Sequence, residues 1–153
     1  MKLNLNRTLL LSLILSLSLI SASCAKGVNT TPFTSSVRAN DDIASSIKIL
    51  TQAETDLEKE KLISAKEGLL IIDGLSALNA ANIQYNTDLT AAKLSGNKSV
   101  LPASLNLLKK AVTELNNNGV LGLKSEKAKQ IFSTTMGAIN LSLAVLEGFV
   151  NKP

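Results

Sequence analysis

Two series of core-forming residues, separated by alternating steps of four and three positions, most constrain what this chain can fold into. Residues with this spacing lie on one face of an α-helix, and such a face is stabilised by burial against another element. The pattern predicts two long amphipathic helices in an all-α protein. The first series is Ile71, Leu75, Leu78, Asn82, Tyr85 and Leu89, and the second is Phe132, Met136, Ile139, Leu143, Leu146 and Val150.

Two shorter apolar series predict one further helix ahead of each long one. The rest of the surface of each helix is largely polar, which is typical of helices at the outside of a small domain. The first contains Ile43, Ile47, Leu50, Ala53 and Leu57, and the second contains Leu105, Leu108, Val112 and Leu115.

Local signals predict where these helices begin and end. One of the residues 40–42 is expected to cap the first helix, and Ser64 with Glu67 has the spacing of a capping box for the second, which runs to about Ala92. Gly68 and Gly74 in this helix permit close contact with a neighbour. The remaining signals are Pro102 in the first turn of the third helix, a left-handed stop at 116–119, and Ser125 as the cap of the fourth.

The two halves of the chain resemble each other. Residues 47–57 align without gaps to residues 105–115 with four identities in eleven positions, and Ser64 then corresponds to Ser125 after three extra residues. Each half therefore reads as one helix hairpin. We predict an antiparallel four-helix bundle over residues 41–153, built from two repeated hairpins, because neither hairpin buries its apolar seam alone.

The first 23 residues have the three parts of an export signal. Lys2 and Arg7 precede an apolar run over 9–20, and small residues follow at 21–23. This run is shorter than the roughly 20 residues that span a bilayer as a helix. Residues 1–23 are therefore predicted to be a signal peptide.

The single cysteine of the chain, Cys24, directly follows these small residues. The sequence Ser-Ala-Ser-Cys resembles the lipobox of bacterial lipoprotein precursors, although Ser21 stands where leucine is usual. The resemblance implies that Cys24 is acylated, becomes the first residue of the mature protein, and holds it on a lipid bilayer. The alternative is an ordinary signal-peptidase cut after Ser23 or Ala25, which leaves Cys24 without a role.

The mature chain is predicted to have two parts. Residues 24–40 are poor in apolar side chains and rich in Gly, Pro, Ser and Thr, which predicts a flexible linker ahead of the domain at 41–153. Ala25 rather than aspartate follows the cysteine, and by the sorting tendency of lipoproteins this favours the outer membrane in a cell that has one.

Composition and charge argue against one class of function and one source of stability. The 16 basic side chains fall to 14 once Lys2 and Arg7 leave with the signal, against 12 acidic ones, so the mature net charge is about +2. With three phenylalanines, one tyrosine and no tryptophan, this gives little support to nucleic-acid binding. Stability must come from apolar burial, because one cysteine cannot form an internal disulfide.

No catalytic constellation is found. The chain has no histidine, the commonest general base near neutral pH and the usual zinc ligand. The serine–lysine spacing of penicillin-interacting enzymes occurs at Ser45 and at Ser95, without the companion motifs of those enzymes, so chance explains it better. Carboxylates are expected to cap helices or face solvent, so we predict no enzyme activity, cofactor or metal. The carboxylates considered are Glu67, Asp73, Glu114 and Glu147.

Two features of the long seams have alternative interpretations. Asn82 is either a buried residue that specifies the packing or part of a small pocket with Tyr85, since a buried amide needs hydrogen-bond partners. The interpretation that we favour places Asn82 at the edge of its seam, where water reaches it. Residues 131–150 carry Glu147 as their one charge and have the length of a membrane span. Their Ser, Thr and Asn content favours a bundle core instead.

The sequence thus predicts a non-enzymatic bacterial lipoprotein of the cell envelope, exported and held at a membrane through Cys24. It would act by contacts with an unknown envelope protein. The alternative function is a periplasmic carrier whose bundle opens to bind a small apolar ligand.

Overall fold

A computed structural model describes residues 31–120 and 122–152, and within these ranges the chain is helical without any strand. Helix α1 is Pro32–Lys59, α2 is Ala65–Ser95, α3 is Leu101–Glu114 and α4 is Glu126–Val150. A π-helical turn, Leu115–Val120, continues α3. The predicted all-α class is confirmed. The signal peptide and Cys24 lie outside the described residues.

Helix α1 begins earlier than predicted, inside the segment that was expected to be a flexible linker. Thr31 is its cap, because the Thr31 hydroxyl accepts a hydrogen bond from the Thr34 backbone N–H at 3.2 Å, and Pro32 occupies the first turn. The linker prediction over 24–40 is therefore wrong from Pro32 onward, and 41 is too late as the start of the domain. The helix was missed because its buried face here is small or polar: Ser36, Ala39 and Asn40.

The start of α2 follows the sequence prediction. The Glu67 N–H donates to the Ser64 hydroxyl at 3.3 Å, and the Ser64 N–H donates to Glu67 Oε2 at 2.7 Å, which completes the capping box. The helix ends three residues beyond Ala92, at Ser95, where Gly96 adopts a left-handed conformation with φ of 69°.

The end of α3 differs from the sequence prediction. Instead of a left-handed stop at Gly119, the π-helical turn continues the helix and keeps Leu115 and Val120 both buried. Gly74 of α2 lies directly against this turn, since a Cβ at Gly74 would be 3.2 Å from the Leu115 Cα. The glycine therefore permits the close approach that the sequence suggested, and tertiary contact accompanies the wider turn.

Helix α4 begins as predicted and supplies one wall of the core. The Ser125 hydroxyl accepts from the Ala128 N–H at 3.3 Å. The α4 series is buried from Phe132 to Leu146, and Val150 at its end is half-buried.

The four helices pack around one hydrophobic core as a bundle. Helix α1 contacts α2 and α4, α2 also contacts α3, and α3 also contacts α4. Burying each large apolar side chain stabilises the fold by about 1.5–3 kcal/mol. The largest fully buried side chains include Tyr85, Phe132, Ile43, Leu50, Ile71, Leu78, Leu108 and Ile139.

Contacts at the two ends of α1 and α4 show which termini meet. The Phe33 and Phe149 rings pack edge to face with their centroids 6.0 Å apart, so the first turn of α1 lies beside the last turn of α4. At the other end, Lys127 Nζ contacts Glu60 Oε2 at 2.9 Å. This joins the end of α1 to the beginning of α4.

Candidate functional site

Asn82 and Tyr85, the polar members of the α2 series, are both buried, with exposed fractions of 3% and 0%. The edge position favoured for Asn82 is therefore wrong, and the buried alternative describes it. Neither Asn82 Oδ1 nor the Tyr85 hydroxyl has a hydrogen-bond partner among the described residues. Burial raises the pKa of Tyr85 to about 12, so its hydroxyl remains a protonated donor at neutral pH.

Two buried polar residues of α1, Ser36 and Asn40, share this property. Ser36 Oγ and Asn40 Oδ1 also lack hydrogen-bond partners in the described part of the chain. Sequence reasoning missed both because they fell in the supposed linker. The available signal was spacing, since steps of four and three continue without interruption through Ser36, Asn40, Ile43, Ile47, Leu50, Glu54 and Leu57.

Glu54 is a third polar position in the α1 seam, and its side chain is 2% exposed. The Thr55 hydroxyl donates to Glu54 Oε2 at 3.4 Å, while Oε1 has no partner among the described residues. Burial first, and then the nearby charge of Glu58, raises the pKa of Glu54. Gly68 of α2 leaves room for this carboxylate, because a Cβ at Gly68 would lie 2.7 Å from Oε1.

The chemistry of these groups is hydrogen bonding. Ser36 and Tyr85 carry hydroxyl donors, and Asn40 and Asn82 carry amide oxygens that accept. An unpartnered buried polar atom costs about 1–3 kcal/mol, so the four atoms favour one another or water as partners. They form no nucleophile with an adjacent base.

Three of the four carboxylates considered as metal ligands have other contacts. Glu114 pairs with Lys110 at 3.8 Å. Glu67 caps α2 and also accepts from the Lys124 N–H at 3.1 Å, and the hydrogen bonds from Ser64 come first in lowering the pKa of Glu67. Glu147 pairs with Lys109. No group of three or more Asp, Glu, His or Cys side chains close enough to hold a metal ion occurs within 31–120 and 122–152.

The second serine–lysine motif has structural contacts instead of a shared site. The Ser95 hydroxyl donates to the Ala91 carbonyl at 2.8 Å, within its own helix. Lys98 Nζ donates to the carbonyls of Phe149 at 3.4 Å and Lys152 at 2.8 Å, at the end of α4. These bonds hold the α2–α3 connection against the last turn of α4.

A cationic and aromatic cluster lies at the end of the bundle where α1 begins. Lys93 Nζ lies 5.2 Å from the centroid of the Phe33 ring, and Lys98 Nζ lies 4.9 Å from that of Phe149. Both distances suit cation–π attraction. Sequence reasoning had left Phe33 in the linker, whereas its ring packs against the core.

An open groove of about 380 Å³ runs between α1 and α2 on the outside of the bundle. Its α1 side consists of Ala44, Ile47, Lys48 and Thr51, and its α2 side consists of Ile72, Leu75, Ser76 and Asn79. The groove is lined mainly by apolar atoms, and Lys48 is its charged member.

Among the described helices, α4 is the one long and apolar enough to be considered as a membrane span. The most apolar window of α4 has a mean hydropathy of 1.2, and 39% of that window is buried inside the protein. Its seam residues Phe132, Ile139 and Leu146 are fully buried in the bundle. The core of a protein domain passes the same test of length and composition, so this is weak support for a span.

Comparison of the chain with protein-family models, with curated proteins and with solved structures found no match in any of the three.

Proposed function

We propose that this protein is a membrane-anchored bacterial lipoprotein of the cell envelope that acts as a non-enzymatic interaction module. In this proposal the signal peptide is removed, acyl chains on Cys24 hold the protein on the bilayer, and the helical bundle presents its outer faces to another envelope protein. Two or more acyl chains give stable anchoring, whereas one chain is marginal.

The observation that carries the proposal is where the bundle begins relative to Cys24. Helix α1 starts at Pro32, eight positions after the cysteine. Eight residues of fully extended chain reach about 28 Å, so an acylated Cys24 would keep the bundle close to the bilayer. The same end of the bundle carries Lys93, Lys98 and Lys152, whose charges suit an anionic membrane surface.

The finer architecture in this proposal is two helix hairpins whose helices alternate in direction. Two sets of contacts support it for α1 and α2. Glu54 lies against Gly68, and Ile47 and Leu75 line the same groove, so position numbers fall along α1 as they rise along α2. Extending this register by four further turns in each helix brings Asn40 and Asn82 to the same level.

Metabolic labelling with a fatty acid tests the anchor. The full chain should take up label in a bacterial host, and Cys24→Ala should abolish it because the acceptor sulfur is lost. Ser21→Leu, which creates the usual lipobox residue, is the matched control and should retain or increase labelling. A wild-type chain that remains unlabelled while a known lipoprotein in the same cells is labelled would refute the proposal.

The second candidate function, a carrier of a small apolar ligand, has the α1–α2 groove as its support. This groove is apolar but open, whereas the interior positions around Gly74 and Leu115 are in van der Waals contact. Native mass spectrometry of the purified full chain distinguishes the two candidates. Co-purified lipid in stoichiometric amount favours the carrier, and its absence favours the interaction module.

A further inference from the structure

The outward face of α2 carries a strip without a single charged residue, over the whole length of the helix. Its members follow steps of four and three, mostly one position after the core series and therefore about 100° around the helix from it, on the side of the α1–α2 groove. All of them are exposed. Leu69 and Ile83 are 63% and 58% exposed, and Leu94 is 84% exposed. Large apolar side chains that recur at helical spacing are usually buried, so their exposure here marks a candidate contact surface. The α2 strip consists of Ala65, Leu69, Ile72, Ser76, Asn79, Ile83, Thr87, Thr90 and Leu94.

Four charged residues border this strip. Lys66 and Asp73 flank it on α2 beside Leu69, and Asp41 and Lys48 lie seven positions apart on α1, on the side of the α1–α2 groove. None of the four forms an ion pair with an oppositely charged side chain in the part of the chain that the structure describes. The α1 border therefore carries one acidic and one basic side chain that have no ionic partner among the described residues.

We propose that the α2 strip binds the same strip of a second copy of this chain, in an antiparallel and two-fold symmetric dimer. Placing the two-fold axis between Ser76 and Asn79 sets positions whose numbers add to about 155 opposite each other. Ile72 then packs against Ile83 of the other copy, twice, and Ser76 faces the Asn79 amide. An interface of this kind is self-complementary, as a two-fold axis requires.

The charges on the α1 border support this register independently of the apolar residues. The Glu54–Gly68 contact fixes which α1 residues share a level with α2. With that register, Asp41 of each copy comes opposite Lys48 of the other, and small Ala44 lies at the two-fold axis. Two attractive pairs, related by the two-fold axis, arise from this choice of axis.

The area is sufficient for a weak dimer. From Ala65 to Leu94 the strip is about 44 Å long at 1.5 Å per residue. With the α1 rim included, a width of about 15 Å gives roughly 1,300 Å² buried in total, near the lower limit for specific interfaces. The inference goes beyond anchoring and does not depend on acylation, although tethering to a membrane would raise the effective concentration of the two copies.

Cysteine cross-linking of the full chain in the membranes of an expression host tests the interface. Ser76→Cys places a thiol beside the two-fold axis, and a short bismaleimide should then produce a covalent species with the mass of two chains. Ser133→Cys, exposed on α4 away from the strip, is the matched control and should give little. The unmodified chain measures any background from Cys24, which separates the outcome from the acylation question.

Charge reversal tests the register. In the Ser76→Cys chain, adding Asp41→Lys should lower the yield of cross-linked dimer at least about threefold. The reason is that the new lysine at position 41 of each copy then faces Lys48 of the other copy, and the two positive charges repel. Adding Lys48→Asp as well should restore the yield, which a misfolded variant would not do. Glu114→Lys on α3 should leave the yield unchanged.

Specific results overturn the proposal. One is equal cross-linking by Ser76→Cys and Ser133→Cys, and another is no product of two-chain mass from Ser76→Cys. A product of any other mass identifies a different partner on the strip and likewise overturns it. Failure of Lys48→Asp to rescue Asp41→Lys rejects the register.

Discussion

Replacing Gly74 by alanine tests whether close contact between α2 and the π-helical turn is required for stability. A methyl group at this position would lie 2.8 Å from Leu115 Cδ1 and 3.2 Å from the Leu115 Cα. The side-chain atom can move, but the Cα belongs to a turn that also packs Gly119 against Ile71. The added methyl therefore forces a shift of backbone as well as of side chain.

Two opposing terms set the magnitude. Overfilling a packed site costs about 1–3 kcal/mol, whereas replacing glycine by alanine inside a helix gains about 0.8–1 kcal/mol. Gly74→Ala should therefore change the free energy of unfolding by between about zero and −2 kcal/mol. Gly137 in α4 is the matched control, because a Cβ there would meet nothing within 4 Å. Gly137→Ala should gain the full propensity term of about 0.8–1 kcal/mol.

Urea unfolding of the two variants and the wild type, followed by circular dichroism at 222 nm, measures the difference. With a slope of about 2 kcal/mol per molar urea, 1 kcal/mol moves the midpoint by about 0.5 M. The two midpoints should move apart by about 0.5–1.5 M, with Gly137→Ala the higher. Equal stabilisation by both substitutions would refute the steric reasoning and the close approach at Leu115.

The remaining predictions concern the buried polar groups and the cap of α2. Burial holds the pKa of Glu54 above its unfolded value, so the charged form opposes folding and the free energy of unfolding falls as pH rises above about 4.5. Glu54→Gln should therefore raise the urea midpoint relative to the wild type at pH 7, and the difference between the two midpoints should disappear at pH 4. Glu67 has a lowered pKa, so its stabilisation is present above about 4.5 and lost on acidification. Glu67→Gln should therefore cost about 0.5–1 kcal/mol at pH 7 and less at pH 3, and urea titrations at the two pH values give the comparison; a cost that does not change with pH contradicts the assignment. Asn40→Leu combined with Asn82→Leu should leave the urea midpoint unchanged or higher, because both unpartnered amides are removed at once. A fall in the free energy of unfolding of more than about 2 kcal/mol would show that these amides are hydrogen-bonded in solution.

Local signals allowed most of the helical structure to be predicted from sequence. Ser64 with Glu67 determines the start of α2 through bonds within four residues, and Ser125 does the same for α4. The seams of these two helices were predictable because burial of every third or fourth residue appears directly as periodicity. In each case the deciding interaction lies within the element itself.

The features that were missed depend on contacts between elements. The first turns of α1 have a buried face made of Ser36, Ala39 and Asn40, so hydrophobicity gives no signal there, although the spacing does. The π-helical turn after α3 accompanies the approach of Leu115 to Gly74, which lies on another helix. Burial of Asn82 likewise follows from what covers its seam, which the local sequence does not contain.

Three buried polar residues, Glu54, Asn82 and Tyr85, distinguish the two halves of the proposed repeat. In the alignment of the halves, Glu54 corresponds to Val112, Asn82 to Leu143 and Tyr85 to Leu146. Two similar apolar hairpins, as proposed for this chain, would have alternative pairings and registers of nearly equal energy, and buried polar residues that differ between them would remove that equivalence at some cost in stability. We infer that these residues specify which helices pair. The Asn40→Leu, Asn82→Leu chain tests this, because it should keep its helix content while its amide NMR resonances broaden or double; a single sharp set of resonances would exclude a role in specificity.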